Sequence, residues 1–365
     1  MTMRGRSRAG LIVLLLTMVV SASVSGCAVD PAQLFTETYE LPPFNFAPVG
    51  TAGDQSNSIR TNIPRPPGDI AVKRVTWKMV DGAGQEIPAT NHDIHFHHVV
   101  LFNRGHEDWA CRNRDGQIDN GGLGGRWAAP GGERTPLDLA NGFAYFSAAA
   151  DVWSASWHIM NLTARPQQNI RVQYTVTWAR DRSTLAAVTP YWFDQAGCGG
   201  NGTITVPGGG TPPVYERQRL FTVGRSGVIR AVRSHMHDGG IDVTLSKMDG
   251  TVICKGTAVY HQPEGGGGHE HGDPMDHGHG NTGEPRIVAI PLCTNLDVRV
   301  AAGEQLRQVV RYRNDKAQPD AMGSNLVYVN EDPLPPAPPT TRPVTTRPVT
   351  TRPATTVPSR PQTAD

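Results

Sequence analysis

The sequence predicts an all-β protein: two consecutive antiparallel β-sandwich domains followed by a disordered tail. Three observations carry that prediction. Short runs rich in Val, Ile, Thr and aromatic residues recur between residues 35 and 330, and several alternate apolar with polar positions at a period of two. Glycine (40 residues) and proline (30 residues) punctuate the 365-residue chain, a loop-rich makeup typical of β domains with many turns. Helical periodicity is scarce. In chain order the strand-like runs are "IAVKRVTWKMV" (70–80), "HHVVLF" (97–102), "NIRVQYTVTW" (169–178), "GTITV" (202–206), "GVIRAVRSHMH" (227–237), "IDVTL" (241–245), "RIVAIPL" (286–292), "LRQVVRYR" (306–313) and "NLVYV" (325–329). The segment "VPGGGTPPV" (206–214) has the makeup of a linker, so the expected first domain is 61–206, the linker 207–214 and the second domain 215–330. Residues 264–285, "EGGGGHEHGDPMDHGHGNTGEP", interrupt the second domain as a low-complexity insertion that cannot pack a core.

The two ends read differently from the body. Residues 1–26 look like an export signal: Arg4, Arg6 and Arg8 form a basic start, and residues 11–20 are an apolar run too short for a comfortable membrane span. "VSGC" at 24–27 resembles the bacterial lipobox, whose cysteine is lipidated and becomes the mature N-terminus. The alternative is an ordinary signal with an incidental cysteine. The expectation is an exported protein held on the outer face of the bacterial cell membrane through lipid on Cys27, with 27–60 as a tether. Residues 331–365 are Pro/Thr-rich, with "TTRPV" repeating every five residues over 340–354, and read as a disordered, polyproline-like spacer. A net charge of +1 gives no electrostatic case for nucleic acid. With Cys27 set aside, Cys111, Cys198, Cys254 and Cys293 are an even set in an exported chain, which suggests disulfides. Of the possible connectivities, Cys111–Cys198 with Cys254–Cys293 keeps each bridge inside one domain. Metal ligation by these cysteines is the weaker alternative, because no CxxC or Cys/His spacing appears.

Thirteen histidines are present, and they are clustered. "RSHMH" places His235 and His237 at i and i+2 near a strand end, where both face one side and can reach one ion. A lone HxH is as often two exposed surface histidines, so a third donor matters. Met322 in "DAMGSNLVYV" offers a thioether that suits Cu(I), although a single methionine is usually core filler. In the first domain His97 and His98 are adjacent at a strand start. Both reach one metal only if the strand is twisted or bulged there. His158 in "WSASWHIMN" is either a packed core histidine or their third partner. Sixty residues separate His98 from His158, and 63 separate His237 from Met322 once the 22-residue insertion is left out. His95 shares a strand face with His97, and His92 falls in a loop. His269, His271, His277 and His279 in the insertion read as auxiliary metal donors that load or buffer copper, against the alternative of a neutral loop.

This layout resembles the copper type II, ascorbate-dependent monooxygenases, the family of peptidylglycine α-hydroxylating monooxygenase and dopamine β-monooxygenase. "HHVVLF", "WHIMNLTARPQQNIRVQYTVTW", "RSHMH" and "DAMGSNLVYV" match its motifs in order across residues 60–330. The resemblance implies two jelly-roll-like sandwiches and two copper ions. One ion would sit on His97, His98 and His158 and pass electrons. The other would sit on His235, His237 and Met322 and take O2, with a solvent-filled cleft between them. It also implies Arg233, Asn325 and Tyr328 as substrate-binding candidates, with the register of the last two uncertain. The cysteine pattern departs from the family's dense disulfide set, and no peptide or catecholamine substrate is carried over.

The expected function is therefore a copper monooxygenase that hydroxylates a C–H bond of a small-molecule or peptide substrate, using O2 and a one-electron donor such as ascorbate. A copper-binding or delivery lipoprotein of the same fold without oxygenase activity is the alternative, motivated by the histidine-rich insertion. A metal-free envelope binding module is the third.

Overall fold

The computed structural model describes residues 33–109, 122–197, 202–261 and 285–334. Cys27, Cys111, Cys198, the insertion histidines and the repeats of the tail lie outside the described residues. Within them the protein is all-β, with twenty-four strands and no helix.

The strands pair in two sets. The first set contains an eight-stranded sheet with the path β1 (Leu34–Glu40), β11 (Gln167–Ala179), β4 (Ile70–Val80), β9 (Phe143–Ser147), β12 (Ala186–Ala187). To it β2 (Phe44–Phe46), β5 (Glu86–Ile87) and β8 (Leu137–Asp138) add short pieces. Its second sheet runs β3 (Gln55–Thr61), β10 (Trp153–Asn161), β6 (Ile94–Asn103), β7 (Gly125–Ala128). The second set contains β13 (Thr189–Asp194), β24 (Gly323–Glu331), β16 (Gly227–Met236), β21 (Val298–Val300), and a sheet of β15 (Val214–Thr222), β22 (Gln305–Arg313), β17 (Gly240–Lys247), β18 (Val252–Thr257). Two ribbons complete it: β14 (Ile204–Val206) with β23 (Gln318–Ala321), and β19 (Val259–His261) with β20 (Arg286–Ala289). Every pairing is antiparallel except β9 with β12.

Alternation explains the outer strands. In β11, Ile170, Val172, Tyr174, Val176 and Trp178 are buried while the residues between them are not. In β22, Leu306, Gln308, Val310 and Tyr312 point inward on the same period of two. Neighbouring β16 and β24 behave otherwise. Residues 231–236 and 323–329 are buried without interruption, because these strands are covered on both faces.

The pairing places chain segments differently from the expected boundaries. β1, β2 and all but the last residue of β3, within the expected tether, belong to the first set, whereas β13 and β14, expected in the first domain, pair with β24 and β23. The expected linker runs directly into β15, which starts at Val214. The two sets share one core. The cluster around Trp127, Trp153 and Tyr174 continues into Trp192, Ala231, Leu326 and Tyr328 of the second set. Tyr328 Oη donates to the carbonyl of Trp127 at 2.9 Å, and the Arg126 guanidinium lies 4.6 Å from the Trp192 ring centre.

Cys254 and Cys293 form a disulfide across 39 residues of chain. Cys293 also pairs through its backbone with Val232 of β16, so the bridge pins β18 beside the central strand. Closing a loop of this length restricts the unfolded chain. A Cys254→Ala/Cys293→Ala variant is expected to lose about 2–4 kcal/mol in urea unfolding, whereas an unchanged midpoint would assign the bridge no structural role.

Candidate metal centre

The centre begins with an irregularity in β6. His98 pairs with His158 of β10, but the next pair is Phe96 with Ile159, so His97 is the extra residue of a β-bulge. Adjacent residues of a regular strand point to opposite faces. The bulge brings these two to one side, with their Nδ1 atoms 2.9 Å apart. The His158 ring centre lies 4.6 Å from that of His97 and 6.0 Å from that of His98. Its Nε2 lies 2.7 Å from Gln55 Oε1 on the edge strand β3.

The second set contributes the end of β16. The rings of His235 and His237 are 5.4 Å apart, as i and i+2 on one strand face require. The His237 backbone N–H donates to Tyr312 Oη at 2.9 Å, and its Nδ1 lies 2.6 Å from the carbonyl oxygen of Asp320. A carbonyl only accepts, so Nδ1 carries the proton and Nε2 holds the lone pair. The same tyrosine fastens Met322: it accepts from the Met322 N–H at 3.1 Å and donates to the Met322 carbonyl. Met236 pairs with Gly323, so His237 and Met322 take the next step of that register. Met322 is buried.

The two groups meet. The ring centres of His97 and His237 are 4.0 Å apart. Ligand nitrogens of His97, His98 and His237 all lie within 4.8 Å of one another, close enough to share one ion. The family resemblance implied two ligand sets facing each other across a solvent-filled cleft. That expectation is corrected here, because docking of β6 against the end of β16 leaves the rings in contact.

Electrostatics suit a metal. Burial, reinforced by the neighbouring His237, His98, His95 and His158, holds His97 well below the usual imidazole range. Burial, with His235 and His158 beside it, pulls His98 down to about 3 against the partly offsetting charge of Glu133. These imidazoles are thus neutral near pH 7, the form that binds metal. His235 is buried, and its Nε2 has no hydrogen-bond partner among the described residues. A set of neutral imidazole nitrogens fits a copper ion by donor chemistry.

Behind His235 stands Glu133, which the sequence did not single out. Its two carboxylate oxygens each lie 3.3 Å from His235 Nδ1. Arg233 Nη2 donates to Oε1 at 3.0 Å, and the Gly131 N–H donates to it at 3.1 Å. Burial alone would raise the Glu133 pKa. His235, Arg233 and a backbone N–H outweigh it, and the group sits at about 2. "APGGERTP" (129–136) carries no periodic signal, and the partner of Glu133 is 102 residues away.

Three expected substrate contacts are corrected. Arg233 is 3 % exposed, and its guanidinium donates to Glu133, to the Thr135 carbonyl at 3.1 Å and to the Ala129 carbonyl. Asn325 is buried and donates to Ser234 Oγ at 2.8 Å while accepting from Gln308 Nε2 at 2.7 Å. Tyr328 is buried against Trp127. None of the three is presented to a ligand. Beside the rings, a recess is lined by His95, His97, Glu133, Arg134, His237 and Arg286. Arg286 Nη1 donates to His95 Nδ1 at 3.1 Å.

Comparison with known proteins adds three findings. A family model described as "Stress up-regulated Nod 19" matches residues 210–332. Over 316 residues the chain is 24 % identical to "Probable copper-dependent oxygenase M1" of Phoma sp., covering 82 % of this chain and 72 % of that protein. It is 26 % identical over 252 residues to "Probable copper-dependent oxygenase clz3" of Cochliobolus lunatus, covering 66 % and 73 %. A solved structure of PNGF-II superposes with a TM-score of 0.39 at 11 % identity; the match covers 82 % of this chain, which spans only 66 % of that one.

Two outcomes are expected of the centre. His97, His98 and Glu133 all have depressed pKa values in the folded state. The unfolded chain therefore binds more protons, and stability present above about pH 6.5 is lost as pH falls. Melting of the metal-free protein should decline through the imidazole range and continue toward pH 3; a flat profile between pH 7 and 5 would contradict neutral buried imidazoles. A Cβ at Gly131 would lie 2.2 Å from His235 Cε1 and 2.4 Å from Glu133 Oε2. Gly131→Ala should weaken metal binding about 10-fold or more in chelator competition, and unchanged affinity would remove His235 from the site.

Proposed function

We propose that this protein is a copper-dependent oxygenase that hydroxylates a C–H bond with O2 and a one-electron donor such as ascorbate. The observation that carries this is the convergence of His97, His98 and His237, drawn from two strand sets, within the span of one ion. The names of the two fungal relatives, both probable copper-dependent oxygenases, support the copper and oxygenase parts of this reading. Copper bound here supplies the one-electron redox steps that triplet O2 requires before it reacts with carbon.

The chain's own residues do the rest. The bulge at His97 aims two imidazoles to one side, and Asp320 and Tyr312 fix His237. Burial keeps the rings neutral. His158 and His235 stand beside these rings, His158 at 4.6 Å from the His97 ring and His235 at 5.4 Å from the His237 ring, so a second ion, where one is bound, would sit next to the first and not at the opposite wall of a cleft. The small recess lined by His95, Arg134 and Arg286 lies beside the rings. The protein acts outside the cell membrane, anchored by lipid on Cys27. The intramolecular Cys254–Cys293 bridge suits that oxidising side.

The test combines copper stoichiometry with O2 consumption under ascorbate across a panel of C–H substrates. Stoichiometric copper and donor-dependent O2 uptake, both lost in His237→Ala, are expected. Bound copper without turnover on any substrate would leave a copper-carrying protein, and absence of stoichiometric copper would overturn both functions.

A further inference from the structure

We propose that Glu133 is the positioning residue of the centre: its carboxylate accepts a hydrogen bond from the Nδ1–H of His235 and so turns the Nε2 lone pair toward the metal. The inference rests on the reading that these imidazoles hold copper, and it adds a residue that neither the sequence motifs nor the comparisons assign.

Three observations carry it. Both Glu133 oxygens lie 3.3 Å from His235 Nδ1. An ionised carboxylate has no proton to give, so the facing ring nitrogen must be the donor. Its ionised form is secured by Arg233 at 3.0 Å, both side chains being buried. His235 Nε2 is then the lone-pair nitrogen, and it is buried with no hydrogen-bond partner among the described residues. A buried polar atom without a partner is costly unless a ligand occupies its lone pair. Metal-bound histidines commonly hand their second N–H to a carboxylate in this way, which fixes the ring and raises its basicity.

The geometry has a second consequence. Glu133 stands on the first strand set and His235 on the second. Gly131 makes the approach possible, because any side chain there would overlap the His235 ring. Arg233 clamps the same segment through the carbonyls of Ala129 and Thr135. His235 therefore becomes a competent ligand only when the two sets are docked.

The deciding measurement uses the metal-free full chain with 15N-labelled histidine. Two-bond proton–nitrogen correlation spectra report each ring's tautomer, and His235 is assigned by its loss in His235→Gln. A neutral ring protonated at Nδ1 is expected, whereas a ring protonated at Nε2 would overturn the proposal without any variant of Glu133. The second arm is Glu133→Met/Arg233→Met, which removes the carboxylate together with its counter-charge. Cu(I) affinity in chelator competition should fall about 10- to 100-fold, and the His235 tautomer preference should disappear. Full affinity in a folded double variant would overturn the proposal. If the protein binds no copper yet His235 is protonated at Nδ1, the oxygenase function and the positioning of a metal ligand both fail and only the Glu133–His235 hydrogen bond stands, whereas copper binding with His235 protonated at Nε2 overturns the positioning role alone.

Discussion

The two strand sets are docked around one buried cation. The Arg233 guanidinium leaves β16 of the second set and is enclosed by Ala129, Glu133 and Thr135 of the first. A buried ion pair is not in itself a large source of stability, since desolvation offsets much of the attraction. Removing one partner alone costs about 3–5 kcal/mol, because the other charge stays buried. The pair thus acts as a register device: only one docking of the two sets satisfies both charges. Thr135 Oγ1 donating to the Ile290 carbonyl at 3.0 Å and Tyr328 Oη donating to the Trp127 carbonyl make the same joint from either side.

That docking decides the chemistry of the histidines. His97 and His98 come from a bulge in one set and His235 and His237 from a strand end in the other. Packing this many basic rings together is tolerable only if they are neutral. Burial and mutual proximity act in the same direction on His97 and His98, so assembling the site sets the protonation state a ligand needs. His237 and His235 are then oriented from behind by different acceptors, a backbone carbonyl and a carboxylate.

Much of the fold was legible because it is local. The period-two run of β11 marks Ile170, Val172, Tyr174, Val176 and Trp178 as inward, and β22 keeps the same period although its inward Gln308 is polar and its apolar Val309 is not buried. The adjacent pair His97–His98 demanded a bulge, and one is present. Failures came where a property depends on docking. β16 and β24 are buried on both faces, which a single strand's pattern does not report, and so nothing in the sequence corrected the substrate role that resemblance alone implied for Arg233, Asn325 and Tyr328. The repeated spacing from a histidine pair to a third donor suggested one donor set within each half, whereas the group close enough to share an ion, His97, His98 and His237, is drawn from both. It carries no information on how the halves face one another, and the cleft was therefore an inference from resemblance. Glu133 was illegible for the same reason, because its partners Arg233 and His235 lie in the other set.

A contiguous centre changes what the protein matrix must accomplish. Two ligand sets separated by water would each fold and bind metal alone. Here a single ion on His97, His98 and His237 would be held by both sets at once. Any ligand that binds only the docked form stabilises it by mass action, so metal binding and docking are thermodynamically one equilibrium. Arg233 and Glu133 bias that equilibrium before metal arrives, since they bring the sets together with an ion pair that needs no metal. The order of events follows from this. The charge pair selects the docking, the docking neutralises and orients the rings, and the oriented rings define where an ion can sit.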